Sequence, residues 1–436
     1  MAPPAPSSRE RPLRPVAILG GNRIPFARSN AEYLEATNEQ MLSAALEGLI
    51  ERFGLEGQRL GEVAGGAVVK LARDHSLTRE AVVGSALDRR TPAFDVQQQC
   101  ATGGQTVVQV ANKIAVGQIA SGIACGADTT SDPPIGFGRR LRGRLVRINA
   151  ARSTGDRARE LLRFRPTDLD LDIPSPAERR TGLPPGEGQA RTGAAWGITR
   201  EAQDELALAS HRNLAAAYDR GFLADLVTPF RGLREDGNLR REIDPVRLAA
   251  LKPCFGGPEG TMTAANSTTL TDGASAVLLA DERWADEHGH EPLAWLVDAQ
   301  SAAVDYVDGP VREEGVLMAP AYAVSELLER NGLALQDFDL YEIHEAFASQ
   351  VLTTLAAWED PQFNRTRLGR KVPLGPIDRS RLNVNGGSLA TGHPFGATGG
   401  RIVAAAAKAL TERGGGRALV SICAGSGMGV VMVLER

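Results

Sequence analysis

Two short stretches of the sequence place a reactive side chain beside the same small-residue turn. Residues 100–104 read CATGG and residues 392–400 read GHPFGATGG, so ATGG follows a cysteine once and a histidine once. A cysteine thiolate is a strong nucleophile, and a neutral histidine is an effective base near pH 7. The repeat therefore indicates that each copy presents one group, Cys100 or His393, to a shared site.

Cys100 stands where a helix is expected to begin, because the small residues of ATGG follow it. Free N–H groups and the positive end of the helix dipole favour a thiolate at such a position. The pattern predicts a lowered pKa for Cys100 and a sulfur that a substrate can reach. A buried, inert cysteine is the alternative, and this stretch alone does not decide between them.

His393 lies in the segment NGGSLATGHPFGATGG, in which six glycines surround one His-Pro pair. So many glycines make a poor core segment, but they allow backbone and ligand to approach each other closely. The segment favours a functional His393 at the mouth of a second helix. A solvent-facing histidine in a glycine-rich loop is the alternative.

Two further candidates stand at the ends of predicted strands, where α/β proteins commonly carry their sites. His344 follows an apolar strand in YEIHEAFASQ, and Cys423 precedes the glycine-rich turn of SICAGSGMG. Such a turn can present backbone N–H groups to an oxyanion. Cys125 and Cys254 are interpreted as structural. The remaining histidines are interpreted as surface residues: His75, His211, His288 and His290.

The composition is that of an ordinary globular protein. Of 436 residues, 42% are hydrophobic and 23% are charged, and 49 Lys and Arg against 53 Asp and Glu leave a net charge of −4. This near balance argues against nucleic acid as a partner. No apolar run reaches the length of about 18 residues that a membrane span needs.

Cysteine usage and the chain ends bear on the compartment. Four cysteines without a CxxC pair predict neither a disulfide scaffold nor a metal site, and they indicate a reducing, cytoplasmic compartment. The start, MAPPAPSSRERPLRP, lacks the apolar stretch of a secretory signal and is interpreted as a disordered leader. A transit peptide is the alternative, since the stretch contains arginine and serine, but it is short and lacks an amphipathic helical period. The tail VMVLER carries no peroxisomal address.

The two ATGG turns belong to a longer internal similarity. ALEGLIERFGLEGQRLGEV resembles AVSELLERNGLALQDFDLY, and each predicts an amphipathic helix, a glycine cap at Gly54 or Gly332, and then a strand. Each ATGG opens a buried helix of small residues, after which SGIACGADTTS and RALVSICAGSG predict strands. The second of these strands continues as a hairpin into VVMVLER. The sequence therefore predicts two α/β halves of similar plan, whose packing would bring Cys100 and His393 to one cleft.

The expected halves are residues 1–133, completed by 260–290, and residues 291–436. Residues 134–259 differ from both because they are rich in Pro and Arg. They contain one clear amphipathic helix, at TREAQDELALASHRNLAAAYDRG. We interpret them as an inserted loop domain that covers the site.

Four motifs stand in order along the chain: QQCATGG, YEIHEAFA, GHPFGATG and ICAGSGMG. Together with TMTAANSTTLTDGASAVLLA, they resemble the thiolase family over nearly the whole sequence. HEAF, in place of the more usual NEAF, resembles the β-subunits of fatty-acid oxidation trifunctional complexes and their bacterial relatives. The resemblance implies a five-layered α-β-α-β-α fold with a loop domain between two halves.

The resemblance also implies an acyltransferase, a 3-ketoacyl-CoA thiolase of fatty-acid β-oxidation. Such an enzyme uses coenzyme A as a co-substrate, not as a bound cofactor, to cleave a 3-ketoacyl-CoA through a cysteinyl thioester. The products are acetyl-CoA and a shortened acyl-CoA. The alternatives are a biosynthetic acetoacetyl-CoA thiolase with a short pocket and a non-catalytic lipid-binding or scaffold subunit. The presence of Cys100, His393 and Cys423 argues against the last.

By position, the resemblance makes Cys100 the acylated nucleophile, His393 the base that takes its proton, and Cys423 the second acid–base group. His344 replaces the usual Asn that holds a water, which with His393 forms an oxyanion hole for the thioester enolate. The backbone N–H groups of Cys100 and Gly425 form a second hole for the tetrahedral intermediate. The family's pantetheine channel is lined at the positions of Thr268, Ala346 and Phe347.

The stretch GRRLRGRLVRINAARSTGDRARELLRFR carries ten arginines against two acidic residues. It is interpreted as a solvated basic face, as a patch in which Arg139, Arg140 and Arg142 attract CoA or acyl-CoA, or as a docking surface for a partner subunit or an anionic membrane. Nucleic acid is disfavoured because no aromatic residues interleave. The family implies a homodimer or a dimer of dimers and leaves a β-oxidation partner subunit open.

Overall fold

The computed structural model describes residues 12–436, so most of the predicted leader lies outside the described residues. The strands are β1 (Val16–Arg23), β2 (Ala27–Arg28), β3 (Glu62–Gly65), β4 (Ala93–Asp95), β5 (Ser121–Asp128), β6 (Gly136–Phe137), β7 (Leu171–Asp172), β8 (Pro253–Phe255), β9 (Met262–Thr263), β10 (Thr271–Asp281), β11 (Ala294–Ala303), β12 (Leu340–Ile343), β13 (Arg417–Ala424) and β14 (Met428–Glu435).

The α-helices are α1 (Asn38–Phe53), α2 (Leu77–Gly84), α3 (Thr102–Ala115), α4 (Arg139–Ala150), α5 (Thr154–Leu162), α6 (Pro185–Ala195), α7 (Arg200–Asp219), α8 (Pro245–Ala249), α9 (Glu282–Glu287), α10 (Val311–Glu314), α11 (Ala319–Asn331), α12 (Ala348–Glu359), α13 (Pro361–Thr366), α14 (Ser388–Thr391) and α15 (Phe395–Arg413). Short 3-10 helices span Ala72–Asp74, Pro166–Asp168, Leu335–Asp337 and Arg379–Arg381. Among the described residues, none of the helices combines the length and the apolar character that crossing a bilayer requires.

One large sheet of ten strands runs through the molecule, in the order β12-β13-β14-β11-β1-β10-β5-β3-β4, with β2 beside β10. Its two halves meet where β1 pairs antiparallel with β11, Val16 opposite Leu296. On either side of this junction the chain follows the same plan: β1-α1-β3-α3-β5-β10 in the first half and β11-α11-β12-α15-β13-β14 in the second. The predicted duplication of an α/β unit is confirmed.

Helices cover the sheet in layers. Helices α1 and α2 pack on the outer face of the first half-sheet, and α11 packs on that of the second, with α12 beside it. Helices α3 and α15 lie between the two half-sheets. Along β5, Ala124 faces this central layer and Cys125 faces α1, as alternation along a strand requires. The order is therefore α-β-α-β-α, as predicted.

The two central helices touch backbone to backbone at their first turns. A Cβ on Gly103 of α3 would overlap the carbonyl oxygen of Gly396, and one on Gly399 of α15 would overlap the backbone of α3. Only glycine permits this approach. Because both helices begin at the contact, Cys100 and His393, which precede them, are brought to the same place.

The local predictions for the two halves hold in detail. Gly54 and Gly332 end α1 and α11 in the left-handed conformation, with φ of 58° and 63°. Helix α7 forms over the predicted amphipathic stretch. The arginine-rich stretch, for which no helix is predicted, contains α4 and α5, which pack mainly on each other and on the β6–β7 pair. The limits of the inserted domain stay a prediction.

Candidate active site

The structure brings three of the predicted residues to one point. The sulfur of Cys100 and a ring nitrogen each of His344 and His393 lie within 4.8 Å of one another. Cys100 precedes α3, His344 directly follows β12, and His393 precedes α15. Each side chain therefore stands at the end of an element of the central layer or the sheet, where the rigid scaffold holds it.

The two histidines form a buried pair. Their ring centroids are 4.1 Å apart and the rings are tilted by 45°. Nδ1 of His344 lies 2.9 Å from Ser388 Oγ, and Nδ1 of His393 lies 2.6 Å from Thr398 Oγ1. The Nε2 atoms of both are buried without a hydrogen-bond partner among the described residues. Each ring is thus held at one nitrogen and leaves the other for a ligand.

In both copies of the repeat, the threonine of ATGG bonds a residue that precedes it in the chain. Thr398 contacts the His393 ring, and His393 N–H donates to Thr271 Oγ1 at 2.6 Å. In the first copy, Thr102 Oγ1 donates to the Gln99 carbonyl at 2.7 Å. Gln99 has φ of +48°, a left-handed conformation that is uncommon outside glycine, so this bond secures a strained turn.

Burial keeps both histidines neutral. It lowers the pKa of His393 to about 3, with the charge of Arg401 acting in the same direction. Burial also lowers the pKa of His344, and His393 and Arg401 add to the effect. A neutral imidazole carries one N–H donor and one acceptor nitrogen, so the pair can both give and receive a proton.

The Cys100 thiol does not have the lowered pKa that its helix position predicts. Burial raises its pKa to about 12, and the carboxylates of Asp128 and Glu178 add to this effect. Backbone N–H groups of Gly425 and of Cys100 itself face the sulfur and oppose the rise. Enclosure therefore outweighs the helix terminus, and that prediction is wrong for the unliganded protein.

Cys423 is close to Cys100 and lies on β13. It is the penultimate residue of β13 and is buried beside Ala346 and Phe347. Burial raises its pKa and Cys100 contributes to the rise. Gly425 follows in the turn after β13, where its N–H faces the Cys100 sulfur.

The three residues expected along the pantetheine channel also meet. Thr268 donates from its N–H and its Oγ1 to the Ala346 carbonyl, at 3.1 and 3.0 Å. Ser267 pairs with Phe347, whose ring meets Phe255 edge-on at 5.9 Å. The chain before β10 is thus fixed against the loop that carries His344.

A cavity of about 470 Å³ lies beside the segment that contains Thr268. Its wall includes small residues from the segment just before β10 together with two arginines: Ala264, Ala265, Ser267, Thr269, Arg240 and Arg247. His211 also lines it and is buried, which corrects the prediction of a surface histidine. Burial lowers the pKa of His211 to about 4, and its Nδ1 accepts from the Arg240 N–H.

The other cysteines and histidines lie away from this cluster. Cys125 is buried in the sheet, whereas Cys254 is exposed at β8. His75 and His288 are exposed and His290 is half-buried, close to what the sequence predicts.

Several supporting residues were missed by the sequence analysis. Buried Glu345 accepts hydrogen bonds from Asn383, Ser210 and Leu389, at 2.6, 2.7 and 3.1 Å. Arg401 donates to Ser388 Oγ at 3.0 Å, behind His344. Glu345 lies within the HEAF motif and Thr398 within the repeat, so both had a signal. The sequence around Ser388 and Arg401 gave no signal of their roles.

The donor set of Cys100, His344 and His393 could also hold a metal ion, because sulfur and imidazole ligands suit zinc. The sequence predicts no metal here, and that statement stays a prediction.

Comparison with known protein families shows to which family the chain belongs. Residues 16–283 match the thiolase N-terminal domain and residues 293–436 match the thiolase C-terminal domain. The chain belongs to the thiolase family.

Thiolases from several sources are similar over the whole chain. The chain is 39% identical over 426 residues to the 3-ketoacyl-CoA thiolase of Pectobacterium atrosepticum, covering 96% of each chain. Among solved structures, the acetyl-CoA acetyltransferase of Bacillus anthracis has a TM-score of 0.80 at 27% identity, covering 97% of this chain and 99% of that one. Human mitochondrial 3-ketoacyl-CoA thiolase in complex with CoA has a TM-score of 0.79 at 26% identity, covering 97% and 98%. The predicted thiolase fold is confirmed.

The two thiolase domains join just before β11, the strand that pairs with β1. The N-terminal domain of this thiolase therefore includes the whole segment 134–259. The division into an inserted domain and two halves is finer than the family division.

Proposed function

We propose that this thiolase cleaves 3-ketoacyl-CoA with CoA, giving acetyl-CoA and a shortened acyl-CoA, in fatty-acid β-oxidation. The observation that carries the proposal is the approach of Cys100, His344 and His393 within 4.8 Å, with both Nε2 atoms unpartnered within residues 12–436. The names of relatives at 37–39% identity support the same activity. Both lines of support favour an active acyltransferase over a non-catalytic subunit.

In the proposed first step, neutral His393 takes the proton of Cys100 and the sulfur attacks C3 of the substrate. The N–H groups of Cys100 and Gly425 stabilise the resulting oxyanion. The C2–C3 bond then breaks, which leaves an acyl thioester on Cys100 and the enolate of acetyl-CoA. Cys423 protonates C2, and acetyl-CoA leaves.

The two histidines are suited to the enolate in different ways. Ser388 Oγ already accepts from Arg401, which favours donation of its own hydrogen to Nδ1 of His344. Nε2 of His344 then carries a hydrogen and donates toward the site. His393, protonated at Nε2 by the cysteine, donates as well. Two donors therefore stand where the negative charge develops.

In the second step the Cys423 thiolate takes the proton of incoming CoA. The CoA sulfur attacks the acyl group, the same two N–H groups hold the oxyanion, and Cys100 leaves and regains its proton from His393. Each residue returns to its starting state, so no group is consumed.

We propose that the pantetheine arm of CoA lies along Thr268, Ala346 and Phe347. The cavity beside them carries Arg240 and Arg247, whose guanidinium groups suit the phosphates of CoA. Arg139, Arg140 and Arg142 line a separate shallow depression on α4. We therefore favour the cavity arginines for the phosphates.

For the arginine-rich segment we propose docking to a partner subunit or an anionic surface. Val146 and Leu162 are 66% and 87% exposed among the arginines of α4 and α5. Exposed apolar side chains are unexpected on a purely solvated face. We also propose a cytoplasmic homodimer or dimer of dimers of the HEAF type, with a β-oxidation partner subunit.

Turnover of 3-ketoacyl-CoAs of short, medium and long chain tests the function. We expect the wild type to consume the Mg²⁺-enolate absorbance of the substrate and Cys100→Ala to lose the reaction. Preference for medium or long chains supports the degradative enzyme, whereas turnover confined to acetoacetyl-CoA supports the biosynthetic one. Absence of turnover with every chain length contradicts the proposal.

A further inference from the structure

We propose that Glu178 is a positioning residue that holds the Gly425 N–H against the Cys100 sulfur. This inference rests on the proposed function, because it concerns the oxyanion site of that reaction. Glu178 belongs to the segment 134–259, far in sequence from the turn that it contacts. It would link the segment that covers the site to the donors that act within it.

Glu178 accepts two hydrogen bonds from Ser426. The N–H of Ser426 donates to one oxygen of Glu178 at 2.8 Å, and Ser426 Oγ donates to the other at 3.1 Å. A Cβ on Gly425 would lie 2.9 Å from the Glu178 carboxylate, so the carboxylate also packs against the backbone of that residue. Both oxygens of Glu178 are thus committed to the turn.

The turn has a conformation that needs such support. Ser426 has φ of +60° and Gly427 has φ of +71°, and a left-handed serine is less stable than a left-handed glycine. The opposite side of the turn is held by the end of β11, where the Val304 N–H donates to the Gly427 carbonyl at 2.8 Å. Without Glu178, the turn keeps this attachment and the pairing of Ala424 with Met428, but the Ser426 side of the turn is released, so the Gly425 amide can shift.

Glu178 is itself fixed by the backbone. Its N–H donates to the Leu183 carbonyl at 2.8 Å, and its carbonyl accepts from the Gly182 N–H at 2.7 Å. These bonds close a tight loop just before α6. Helix α6 packs on α12, where Gln189 donates to Ser349 Oγ at 3.1 Å. A continuous chain of contacts therefore joins the wall of the site to the Gly425 amide.

The carboxylate charge is not what the contact requires. It adds to the rise of the Cys100 pKa, which opposes thiolate formation. A glutamine can accept from the Ser426 N–H with its oxygen and donate to Ser426 Oγ with its nitrogen. Glu178→Gln therefore keeps the attachment and Glu178→Ala removes it.

The test compares Glu178→Ala, Glu178→Gln and the matched control Glu187→Ala. Glu187 lies in the same segment and accepts a single backbone bond, from Gly256 at 3.1 Å. We expect Glu178→Ala to lower kcat by about 10- to 100-fold with little change in the KM for CoA, because the donor is displaced and not the substrate. Glu178→Gln restores kcat to within about threefold, as its retained hydrogen bonds imply.

Hydrogen–deuterium exchange of the peptide spanning residues 423–429 gives a readout that needs no turnover. We expect faster exchange in Glu178→Ala only. Unchanged exchange in that variant overturns the inference whether or not the wild type is active. Faster exchange with wild-type kcat overturns the positioning role, and failure of Gln to restore kcat shows that the charge and not the attachment matters. Lack of wild-type turnover contradicts the proposed function instead.

Discussion

The imidazole rings of His344 and His393 lie 4.1 Å apart, and each is held at Nδ1 by the hydroxyl of a different helix, Ser388 of α14 and Thr398 of α15. Neither ring can turn without losing its hydroxyl partner. Since both are neutral, the pair carries no mutual charge repulsion until a proton arrives from the substrate or from Cys100. The pair can therefore accept one proton on His393 while His344 remains a neutral donor.

Removal of the His344 ring should remove one enolate donor. We expect His344→Ala to lower kcat by about 10²- to 10³-fold, the usual loss for one oxyanion donor. His344→Asn should retain more activity, since its amide can still donate, and steady-state cleavage kinetics measure both. Ser388→Ala serves as a control that leaves the ring but frees it. Equal kcat in wild type and His344→Ala would contradict the assigned role.

The reactivity of Cys100 should follow its raised pKa. Alkylation by iodoacetamide in the absence of substrate should keep increasing with pH beyond pH 9, because burial raises the thiol pKa to about 12. The rate is measured by mass spectrometry of the peptide that contains Cys100, with Cys100→Ala as the blank. A plateau near pH 7 would instead indicate the low-pKa thiolate that a helix N-terminus alone predicts.

Affinity for CoA should depend on the cavity arginines. Arg240→Gln combined with Arg247→Gln should raise the KM for CoA by roughly tenfold, the equivalent of about 1.4 kcal/mol of lost phosphate contacts. Reversing the charges of Arg139, Arg140 and Arg142 is the matched comparison, and we expect it to leave that KM unchanged at low salt. The opposite pattern would indicate that the arginines of α4, and not those of the cavity, bind the CoA phosphates.

Stability should fall between about pH 4.5 and pH 8 because of Glu342. Burial raises the pKa of this carboxyl to about 8, and one of its oxygens is buried with no hydrogen-bond partner in the part of the chain that the structure describes. Its contribution to stability is therefore present below its unfolded pKa of 4.5 and is lost as pH rises through 8. The whole loss between pH 4.5 and pH 8 is on the order of 5 kcal/mol, of which the part above pH 6 is about 3 kcal/mol. Urea unfolding at pH 6 and pH 9 should show a smaller pH difference for Glu342→Gln than for the wild type, and an equal difference would exclude this cause.

Much of the scaffold was predictable because residues close together in the sequence determine it. Apolar spacing and the glycines at positions 54 and 332 locate α1 and α11 with their ends. The repeat of ATGG predicts that two helices begin beside a nucleophile and a base, and the contact of Gly103 with Gly396 gives the physical reason. Order and repetition of elements therefore carried more information than any one motif.

What escaped prediction depends on enclosure or on contacts between distant segments. The pKa of Cys100 is set by burial among segments that are distant in sequence, such as those of Asp128 and Gly425, and a local pattern does not show such burial. Helix α4 has apolar residues at helical spacing, Leu141, Leu145 and Ile148, but the many arginines of the stretch obscure them. Ion pairs such as Glu160 with Arg163 and Arg144 join α4 and α5. Ser388 and Glu178 act through partners remote in sequence, and their residue types are unremarkable.

The glycine contact between α3 and α15 also determines how the site behaves over time. A junction made of backbone atoms has no side-chain rotamers to exchange, so vibration moves the two helices as one body. The backbones that carry the sulfur and the base are thus fixed at one spacing before any substrate arrives. Since each helix supplies the surface that immobilises the other, neither half of the molecule can hold this spacing by itself.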